Sequence, residues 1–534
     1  SFAIITTETR RFFSVLLLAH LATAMIGAVS FTLALFLHWI PQAFILVLHL
    51  AVYAVQCLCG LTPPTKPSRQ PTEDEFKVVV IGAGFSGLAI GIRLKEAGIP
   101  FVIVERAAEV GGTWYHNSYP GCACDIESQL YSYSFEPNPN WSRVYPPQGE
   151  ILAYLKHIAQ KYDLMPYIRL NTNVNHDQWN EKTSMWELNV NDNEVLRANV
   201  VVNAAGALHV PNYPQFEGRE SFQGESWHSA HWNHSVDYTN KRVGIIGSAA
   251  SAIQAIPELA EKASHLSVFQ RTPNWVIPKA DGPITPVWKW IYRNVPFAMK
   301  LARWLLYAKH EVTLALAFNP STWTAKWIRK ESERYIRHQL RDHPELLKKM
   351  LPSYPMGCKR ILLSNDFYRT LKRDNVSVHT SGIACIEPKG IRTKDGELIE
   401  LDIIVYATGF RVLDGLPKTI GRGGDDLLER WISSSPEAYL GMTVPKYPNK
   451  FILLGPFTGL GHNSVVWMIE CQVNYVMQAI THLVDSGLPA LEVRRHPHDQ
   501  FMIQVHKELD QTVWTSGHCK SWYQTKGGKI FALW

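Results

Sequence analysis

The sequence lacks the residue spacings that mark most metal, redox-dithiol and nucleic-acid sites. Its eight cysteines include no C-x-x-C, and the C-x-C pairs, Cys57 with Cys59 and Cys122 with Cys124, have no second pair at zinc-binding spacing. The pattern predicts no metal site, and reduced thiols in a reducing compartment. Lysine and arginine form no basic block and the formal net charge is only +6, so nucleic acid is not an expected partner.

Charge is missing from one long stretch near the start of the chain. No Asp, Glu, Lys or Arg occurs from Phe12 to Thr65, and the apolar run in residues 12–37 exceeds the roughly 20 residues that cross a bilayer. A second apolar run, residues 43–59, follows Pro41, which interrupts a helix. We therefore predict an N-terminal hydrophobic membrane anchor in residues 1–61, either a helical hairpin or one span with a re-entrant piece.

The basic residues around this anchor predict its orientation. They flank the charge-free stretch on both sides and are absent from the loop within it, so both ends of a hairpin would face the cytosol. The prediction is a protein anchored in an endoplasmic reticulum-like or other intracellular membrane, with a cytosolic catalytic domain. A proline-rich linker in residues 62–75 leads to the folded body. An anchored enzyme favours a small lipophilic organic substrate.

What the chain does contain is two glycine-rich turns, each between an apolar strand and a helix. In the first, Gly82, Gly84 and Gly87 form G-x-G-x-x-G after a buried strand, and the next strand ends at Glu105. The glycines permit a tight turn, the close approach of a pyrophosphate and close helix packing, while the acid accepts ribose hydroxyls. This unit predicts a dinucleotide site with further contacts from Phe85, Ser86 and Arg106.

The second turn repeats the plan with Gly247, Ala249 and Ala252 in the glycine positions. Ala249 puts a methyl group where a pyrophosphate approaches, so this copy is the weaker signal. The following strand leads to Arg271 instead of an acid, and an arginine there suits a 2′-phosphate, which favours NADPH. Two dinucleotide sites imply electron transfer between two cofactors, one of them a flavin. The contacts predicted at this site are Gly247, Ser248, Ala249, Ala250, Ser251, Arg271 and Thr272.

Longer motifs lie between and beyond the two turns. Residues 111–125 read "GGTWYHNSYPGCACD", residues 222–232 read "FQGESWHSAHW", and "GCKR", "YATGF" and "LGMTVPKYPNKFILLGPFTGLGHNS" follow in order. The first resembles the G-x-W-x-x-x-x-[FY]-P-G-x-x-x-D signature of the Baeyer–Villiger monooxygenases, and the second their F-x-G-x-x-x-H-x-x-x-W fingerprint. The others resemble further segments of these class B flavin monooxygenases. The resemblance covers about Phe76 to Tyr475 and excludes the hydrophobic N-terminus.

The resemblance implies an α/β fold with two Rossmann-like dinucleotide-binding domains, the NADPH domain being inserted in the FAD domain. The FAD domain is expected in residues 76–215 and 381–534. The NADPH domain is expected in residues 216–380, with a helical subdomain at about 283–350. The cofactors implied are FAD and NADPH, and the substrates are O2 and a small organic molecule.

The resemblance also implies roles for single residues. Arg360 matches the active-site arginine that supplies a fixed positive charge, and Asp125 matches the acid that pairs with it. His228, between the two domains, is expected to couple their relative rotation, with Gly224 providing unusual backbone angles. Lys359 matches a residue that contacts the NADPH phosphate. Further cofactor contacts are implied for Gly112, Thr113, Trp114, Tyr119, Asp125, Thr408, Gly409 and Asn463.

The reaction that the resemblance implies is NADPH- and O2-dependent insertion of oxygen next to a ketone carbonyl, through a flavin peroxide, to give an ester or lactone. Two alternatives stay open. A flavin monooxygenase that oxidises sulfur or nitrogen uses the same cofactors, and Asn233 stands where Pro or Asp often follows the fingerprint tryptophan. A membrane-tethered electron-transfer flavoprotein or NADPH oxidase would fit a second turn impaired at Ala249.

Overall fold

The structure is a computed structural model that describes residues 66–313 and 318–534. The anchor predicted in residues 1–61 lies outside the described residues. None of the helices in the described ranges is long and apolar enough to cross a bilayer. The longest of them, Val465–Ser486, carries Glu470 and Asp485 and buries one face in the core. For the part of the chain that the structure describes, this finding corrects the prediction of a membrane-anchored protein with a membrane as partner, which depended on the composition of the first 61 residues.

The strands of the described residues build two parallel sheets and several smaller, mostly antiparallel ones. In chain order they are β1 (Val78–Ile81), β2 (Phe101–Val104), β3 (Ile168–Arg169), β4 (Val174–Asn180), β5 (Met185–Val190), β6 (Glu194–Ala198), β7 (Val200–Asn203), β8 (Glu225–His228), β9 (Arg242–Ile246), β10 (His265–Phe269), β11 (Val276–Ile277), β12 (Leu362–Leu363), β13 (Val376–His379), β14 (Ile383–Glu387), β15 (Gly390–Thr393), β16 (Leu398–Glu400), β17 (Ile403–Tyr406), β18 (Lys418–Ile420) and β19 (Lys450–Ile452).

Helices cover these sheets and fill the space between them. Those numbered α5 to α8 occupy residues 286–350, the range in which the helical subdomain was predicted. The helices are α1 (Phe85–Ala97), α2 (Thr113–His116), α3 (Gln148–Lys161), α4 (Ala250–Lys262), α5 (Pro286–Asn294), α6 (Ala298–Thr313), α7 (Trp323–Gln339), α8 (Pro344–Met350), α9 (Phe367–Leu371), α10 (Leu427–Ser433), α11 (Val465–Ser486), α12 (Arg495–Leu509) and α13 (Val513–Ser516).

The first parallel sheet has the strand order β19–β7–β1–β2–β3. Strands β1 and β7 are apolar runs buried along their whole length, as expected when both faces of a parallel sheet are covered. α1 follows β1 directly and ends where Gly98 takes a φ of 68°, a left-handed conformation that favours glycine. β1, α1 and β2 therefore form the βαβ unit that the first glycine turn predicts.

The second parallel sheet has the order β13–β10–β9–β17–β8. β9, α4 and β10 repeat the βαβ arrangement around the second glycine turn. β17 pairs with β9 on one side and β8 on the other. The sequence analysis assigned residues after 380 to the first domain, and this boundary is corrected because the buried strand at 403–406 completes the second sheet.

The chain passes between the two parallel sheets twice, and the two crossings lie side by side. Pro211 and Phe410 form an antiparallel bridge. The Asn212 N–H donates to the Gly409 carbonyl at 2.9 Å, and the Thr408 hydroxyl donates to the Asn212 carbonyl at 2.6 Å. We call residues 210–213 and 407–411 the paired crossings. The segment that carries the second sheet therefore begins and ends at neighbouring points of the fold.

One pair of cysteines contradicts the prediction of reduced thiols. Cys358 and Cys519 form a disulfide; their Cα atoms are 6.0 Å apart, and the two residues are 161 positions apart in the sequence. By contrast, Cys122 and Cys124 are free and buried. Burial raises the pKa of Cys122 to about 12, which favours the protonated thiol at neutral pH.

Candidate active site

The first glycine turn requires glycine at each motif position for a different reason. Gly82 has a φ of 103°, and a Cβ there would lie 2.7 Å from the Ala204 carbonyl oxygen. A Cβ on Gly87 would lie 1.8 Å from the Gly82 carbonyl oxygen, so helix and turn touch through backbone alone. Gly84 has room for a methyl group as far as the protein is concerned, with its nearest neighbour, Gly112 Cα, at 3.4 Å. We therefore expect glycine at this position to leave space for a bound ligand.

Glu105 lies at the end of β2 and faces the turn. Its buried carboxylate accepts the Ala83 N–H at 2.7 Å and the Ala107 N–H at 2.8 Å. A carboxylate offers about four acceptor positions, so two backbone donors leave capacity for ribose hydroxyls. The residue predicted to bind ribose thus also fixes the backbone around its own site.

A recess opens beside Glu105. Predicted residues line part of it, namely Gly82, Glu105, Arg106 and Gly112. Sequence reasoning did not name the rest; His116 lies within the 111–125 motif but was not singled out, and the others come from distant segments outside the motifs used. They include His116, Thr172, Asn173, Val174, Ala205, His209, Gly415 and Pro417.

The second turn shows why an alanine is tolerated. Ala249 has φ −87° and ψ −162°, almost the same as Gly84 at −85° and −163°. The conformation is extended backbone that any residue adopts, so the methyl group of Ala249 causes no strain. Gly247 differs, since its φ is 118° and a Cβ would lie 2.3 Å from the Ala407 carbonyl oxygen. The buried Ser248 has its carbonyl held by Asn274 at 2.8 Å.

Both helices that follow the turns begin without a side-chain cap. The first N–H groups of α1, including those of Phe85 and Ser86, and of α4, including those of Ala250 and Ser251, have no partner within an α-helix and face the turn. Such groups, together with the helix dipole, bind phosphate. The residues present therefore fit FAD at the first turn and NADPH at the second.

Two cations lie together after the second turn. Burial lowers the pKa of Lys359, and the neighbouring positive charge of Arg271 lowers it further. The Lys359 ammonium lies 4.7 Å from the centre of the Tyr354 ring, whereas Arg271 is exposed. Two like charges that disfavour each other form a site for an anion such as a 2′-phosphate. Thr272 follows Arg271 at the same edge of the sheet.

The signature between the two turns connects the first site to α4. The Tyr119 hydroxyl donates to Gln254 at 2.8 Å, and Gln254 donates to the Ala123 carbonyl at 2.9 Å. Gln254, which no motif indicated, thus holds the signature against the second βαβ unit. The buried Trp114 donates its indole N–H to the Tyr131 hydroxyl at 3.1 Å. Thr113 begins α2 beside Gly112.

The signature ends in an ion pair that joins distant parts of the chain. Arg360 Nη2 donates to Asp125 Oδ1 at 2.7 Å, and Arg360 Nε donates to Asp125 Oδ2 at 3.0 Å. The charge of Asp125 raises the pKa of Arg360. The side chains are 38% and 26% exposed, so the pair is held in place yet reachable. Within the described residues Nη1 has no hydrogen-bond partner, which leaves one edge of the guanidinium for a ligand.

Other polar groups surround this pair. Lys279 is a second cation near Asp125; its pKa is lowered by burial, and the charges of Asp281 and Asp125 oppose that shift. Tyr523 is buried, and burial raises its pKa to about 12, with Arg360 acting in the opposite direction. The sequence analysis named neither residue. Arg360 thus pairs with one carboxylate, in a region that also holds a second cation and a buried tyrosine.

His228 ends β8 and packs against the paired crossings. Its ring lies 5.5 Å from that of Tyr213 and 5.8 Å from that of Phe410. Nδ1 accepts the Ala230 N–H at 3.1 Å, and the side chain is fully buried. His228 is therefore placed between the two sheets and does not contact Arg360 or Asp125 by a hydrogen bond.

The prediction for Gly224 needs correction. This residue does not take a left-handed backbone angle. A Cβ would instead lie 2.3 Å from the Asp402 carbonyl oxygen and 2.7 Å from the Phe222 ring. Glycine is needed for close approach, and not for an unusual turn.

Three predicted cofactor contacts use their polar groups within the protein. Thr408 and Gly409 bond to Asn212 in the paired crossings. The Asn463 amide donates to Glu311 at 2.8 Å and accepts the Ser464 N–H at 2.8 Å. Thr408, Gly409 and Asn463 therefore fix loops of the protein. The structure brings the other predicted residues Arg360, Asp125 and Lys359 to one region, and it places the two glycine turns at the edges of two sheets.

We expect the free energy of unfolding to fall as the pH drops below about 6.5, because His209 and His228 resist protonation in the folded protein. Burial, aided by the charge of Arg106, lowers the pKa of His209 to about 3, and burial lowers that of His228 to about 4. An unfolded imidazole has a pKa of about 6.5 and binds protons first, so each histidine costs up to about 1.4 kcal/mol per pH unit.

Urea unfolding between about pH 7.5 and 5 measures this dependence. In the His209→Asn variant the free energy of unfolding should fall less steeply with decreasing pH, because the contribution of one histidine is removed. His157→Asn, at an exposed position on α3, is the matched control and should keep the wild-type slope. Equal slopes for all three proteins would contradict the prediction.

Known proteins resemble this chain over most of its length. A family model described as pyridine nucleotide-disulphide oxidoreductase matches residues 79–295. The chain is 42% identical over 474 residues to a Baeyer–Villiger monooxygenase of Pseudomonas aeruginosa, covering 88% of this chain and 89% of that protein. It is 39% identical over 470 residues to a Baeyer–Villiger monooxygenase of Streptomyces coelicolor, covering 87% and 90%.

Solved structures give the same result. An oxidized steroid monooxygenase bound to NADP has a TM-score of 0.76 and 33% identity, covering 85% of this chain and 94% of that one. A cyclohexanone monooxygenase from Rhodococcus sp. Phi1 bound to NADP+ has a TM-score of 0.77 and 30% identity, covering 86% and 94%. The Rossmann-type α/β architecture predicted from the sequence is confirmed.

Proposed function

Because the chain belongs to the Baeyer–Villiger monooxygenases, it is an FAD-containing, NADPH- and O2-dependent monooxygenase, and we propose that Arg360, held by Asp125, is the residue on which its oxygen insertion depends. The observation that carries this assignment is the two-point ion pair, which leaves Nη1 for a ligand. FAD, held at the first glycine turn, would supply the redox chemistry between NADPH and dioxygen.

The chain contributes charge and position. Arginine stays protonated at every working pH, and a guanidinium beside the reacting atoms stabilises negative charge that develops on oxygen. Asp125 restricts the guanidinium to one orientation by bonding two of its nitrogens. Because the stabilising charge is fixed before the reaction, little reorganisation is needed when the oxygen is transferred.

The first turn holds FAD and the second holds NADPH in this proposal. Glu105 accepts ribose hydroxyls, and the N-termini of α1 and α4 bind the two pyrophosphates. His228 contacts the paired crossings and there couples the relative rotation of the two sheets. The domain arrangement proposed is an FAD domain interrupted by an NADPH domain that runs to β17.

We expect Arg271→Ala to weaken NADPH binding by about 10- to 100-fold, the loss that follows from one charge-assisted hydrogen bond to the 2′-phosphate. NADH lacks that phosphate, so its affinity should stay within about twofold of the wild-type value. Quenching of nicotinamide fluorescence on titration measures both constants. Arg329→Ala, at an exposed position on α7, is the control; equal losses for NADPH and NADH would contradict the assignment of Arg271.

Isotope labelling tests the proposed reaction directly. The protein with bound FAD is supplied with NADPH, oxygen-18 gas and a panel of linear, cyclic and steroid ketones, chosen because relatives include enzymes named for cyclohexanone and steroids. The expected product is an ester or lactone that carries one labelled oxygen atom, with one NADPH consumed per product. The lipophilic character of the natural substrate stays a prediction.

The alternatives predict different results in the same assay. An enzyme specialised for sulfur or nitrogen oxidises thioethers or amines and leaves every ketone unchanged. A flavoprotein oxidase consumes NADPH at the same rate with or without substrate and releases an equal amount of hydrogen peroxide. Either result would reject ester formation.

A further inference from the structure

The Cys358–Cys519 disulfide joins the loop of the candidate active site to the C-terminal end of the chain. Cys358 directly precedes Lys359 and lies two positions before Arg360. Both bridged cysteines are buried, with 1% and 7% of their surface exposed. The bridge is therefore an inner connection of the protein, located beside the residues assigned to catalysis and to NADPH.

Further contacts bring the same two segments together. The indole N–H of Trp514, on α13, donates to the Gly357 carbonyl at 3.1 Å. A Cβ on Gly517 would lie 2.5 Å from Cys358 Sγ, so the backbone after α13 packs directly on the disulfide. The bridge and one hydrogen bond thus hold residues 513–519 against the loop that carries Arg360.

The chain beyond Cys519 packs beside the same loop. Tyr523 is buried in the same apolar cluster as Cys358, and Tyr354 packs against that cluster. The Tyr523 carbonyl accepts the Phe531 N–H at 3.0 Å. The carbonyls of Phe531 and Ala532 accept the N–H groups of Phe457 and Gly459 at 2.7 and 2.8 Å. We call residues 519–534 the C-terminal cover.

We propose that the Cys358–Cys519 disulfide positions the C-terminal cover against the loop that carries Arg360, and that its reduction uncouples NADPH consumption from oxygen insertion without disturbing the FAD site. The inference rests on the proposed function, since it assigns a cover to the same arginine. In the reduction a dithiol gives two electrons and two protons; the S–S bond breaks, two thiols form, and the dithiol becomes a disulfide.

The physical reason is that reduction of the disulfide leaves fewer contacts to hold the C-terminal cover in place. A disulfide restricts the chain chiefly by removing alternative arrangements of the segment it closes. Without it, the backbone pairing at residues 457–459, the hydrogen bond from Trp534 to Glu508 and the buried side chains of the cover hold it in place. A cover that opens more often admits more water around the guanidinium, whose side chain is already 38% exposed. An oxygenating site that is more open to water loses more of its oxidising equivalents as hydrogen peroxide.

The closing experiment compares native protein with protein reduced by dithiothreitol and freed of reagent, together with Cys358→Ser, Cys519→Ser and the control Cys385→Ser. Peptide mass spectrometry establishes which samples contain the bridge. Trypsin cleavage at Lys520, Lys526 and Lys529, which lie in the cover, reports its opening independently of activity. We expect cleavage about tenfold faster in every sample without the bridge.

Coupling is measured on the same samples as hydrogen peroxide released per NADPH with a ketone present. We expect a rise of about three- to tenfold without the bridge, whereas FAD content and anaerobic bleaching of the flavin by NADPH change by less than about twofold. Cys385→Ser should behave as native protein. Reduction of the wild-type protein avoids any variant that fails to fold.

Unchanged cleavage and unchanged coupling in bridge-free protein would overturn the proposal, as would loss of FAD on reduction. If the bridged protein forms no ester from any ketone, the proposed function fails, and the trypsin rates still decide whether the bridge holds the cover. The two failures are therefore distinguishable.

Discussion

The Arg360→Ala variant is expected to form ester at least about 100-fold more slowly than the wild-type protein, the loss typical of removing one preorganised charge or donor. The substitution removes the partner of Asp125, whose carboxylate receives Arg360 Nε and Nη2. It does not touch the glycine turns or Arg271. FAD should therefore remain bound, and NADPH should still bleach the flavin at a rate within about tenfold of wild type.

Stopped-flow absorbance of the flavin and chromatographic detection of ester separate these effects. Arg360→Lys is the informative companion, since a lysine keeps the charge but cannot bond two-point to Asp125. It should recover part of the activity. Asp125→Asn should lower activity while Arg360 stays charged, because the guanidinium loses its fixed orientation. Ester formation at the wild-type rate in Arg360→Ala would refute the assignment.

The second large effect is expected at Gly87. Its Cβ would lie 1.8 Å from the Gly82 carbonyl oxygen, and the atoms that must move are backbone atoms of a turn buried between β1 and α1. Overpacking typically costs about 1–3 kcal/mol, and this overlap with backbone atoms belongs at the upper end of that range. Gly87→Ala should therefore lower the thermal midpoint and be purified with little FAD, as read from flavin absorbance and calorimetry.

Gly84→Ala is the matched control for that experiment. Its Cβ meets nothing closer than Gly112 Cα at 3.4 Å, and Ala249 already takes the same backbone conformation in the second turn. The variant should fold with wild-type stability and bind FAD more weakly, because the methyl group points to the ligand side. If both variants had equal stability, the close contact between helix and turn would not be the reason that position 87 requires glycine.

Features encoded within a few residues could be predicted from the sequence. The glycine spacing, the apolar strands beside it and Glu105 at the end of β2 predict a βαβ unit because each obeys a local geometric rule. The resemblance to a family added the pairing of Arg360 with Asp125, which are 235 positions apart. No spacing rule in this one chain could have supplied that contact.

Contacts between distant segments without a motif could not be predicted. Gln254 bonds to Tyr119, His209 lines the recess of Glu105, and Cys519 bonds to Cys358. Each depends on how three or more elements pack, and a single cysteine, histidine or glutamine carries no periodic signal of its own. The boundary at residue 380 failed for a related reason, since β17 is separated from its sheet by the β14–β16 hairpins.

The paired crossings make the protein modular. Asn212 and Gly409 are joined by a backbone hydrogen bond of 2.9 Å, so everything between them leaves the first sheet and returns at almost the same place. A unit whose two ends meet can be acquired, lost or exchanged without stretching its host, in the manner of domain insertions. A chain in which a short glycine linker replaces residues 213–408 would retain every strand of the first sheet.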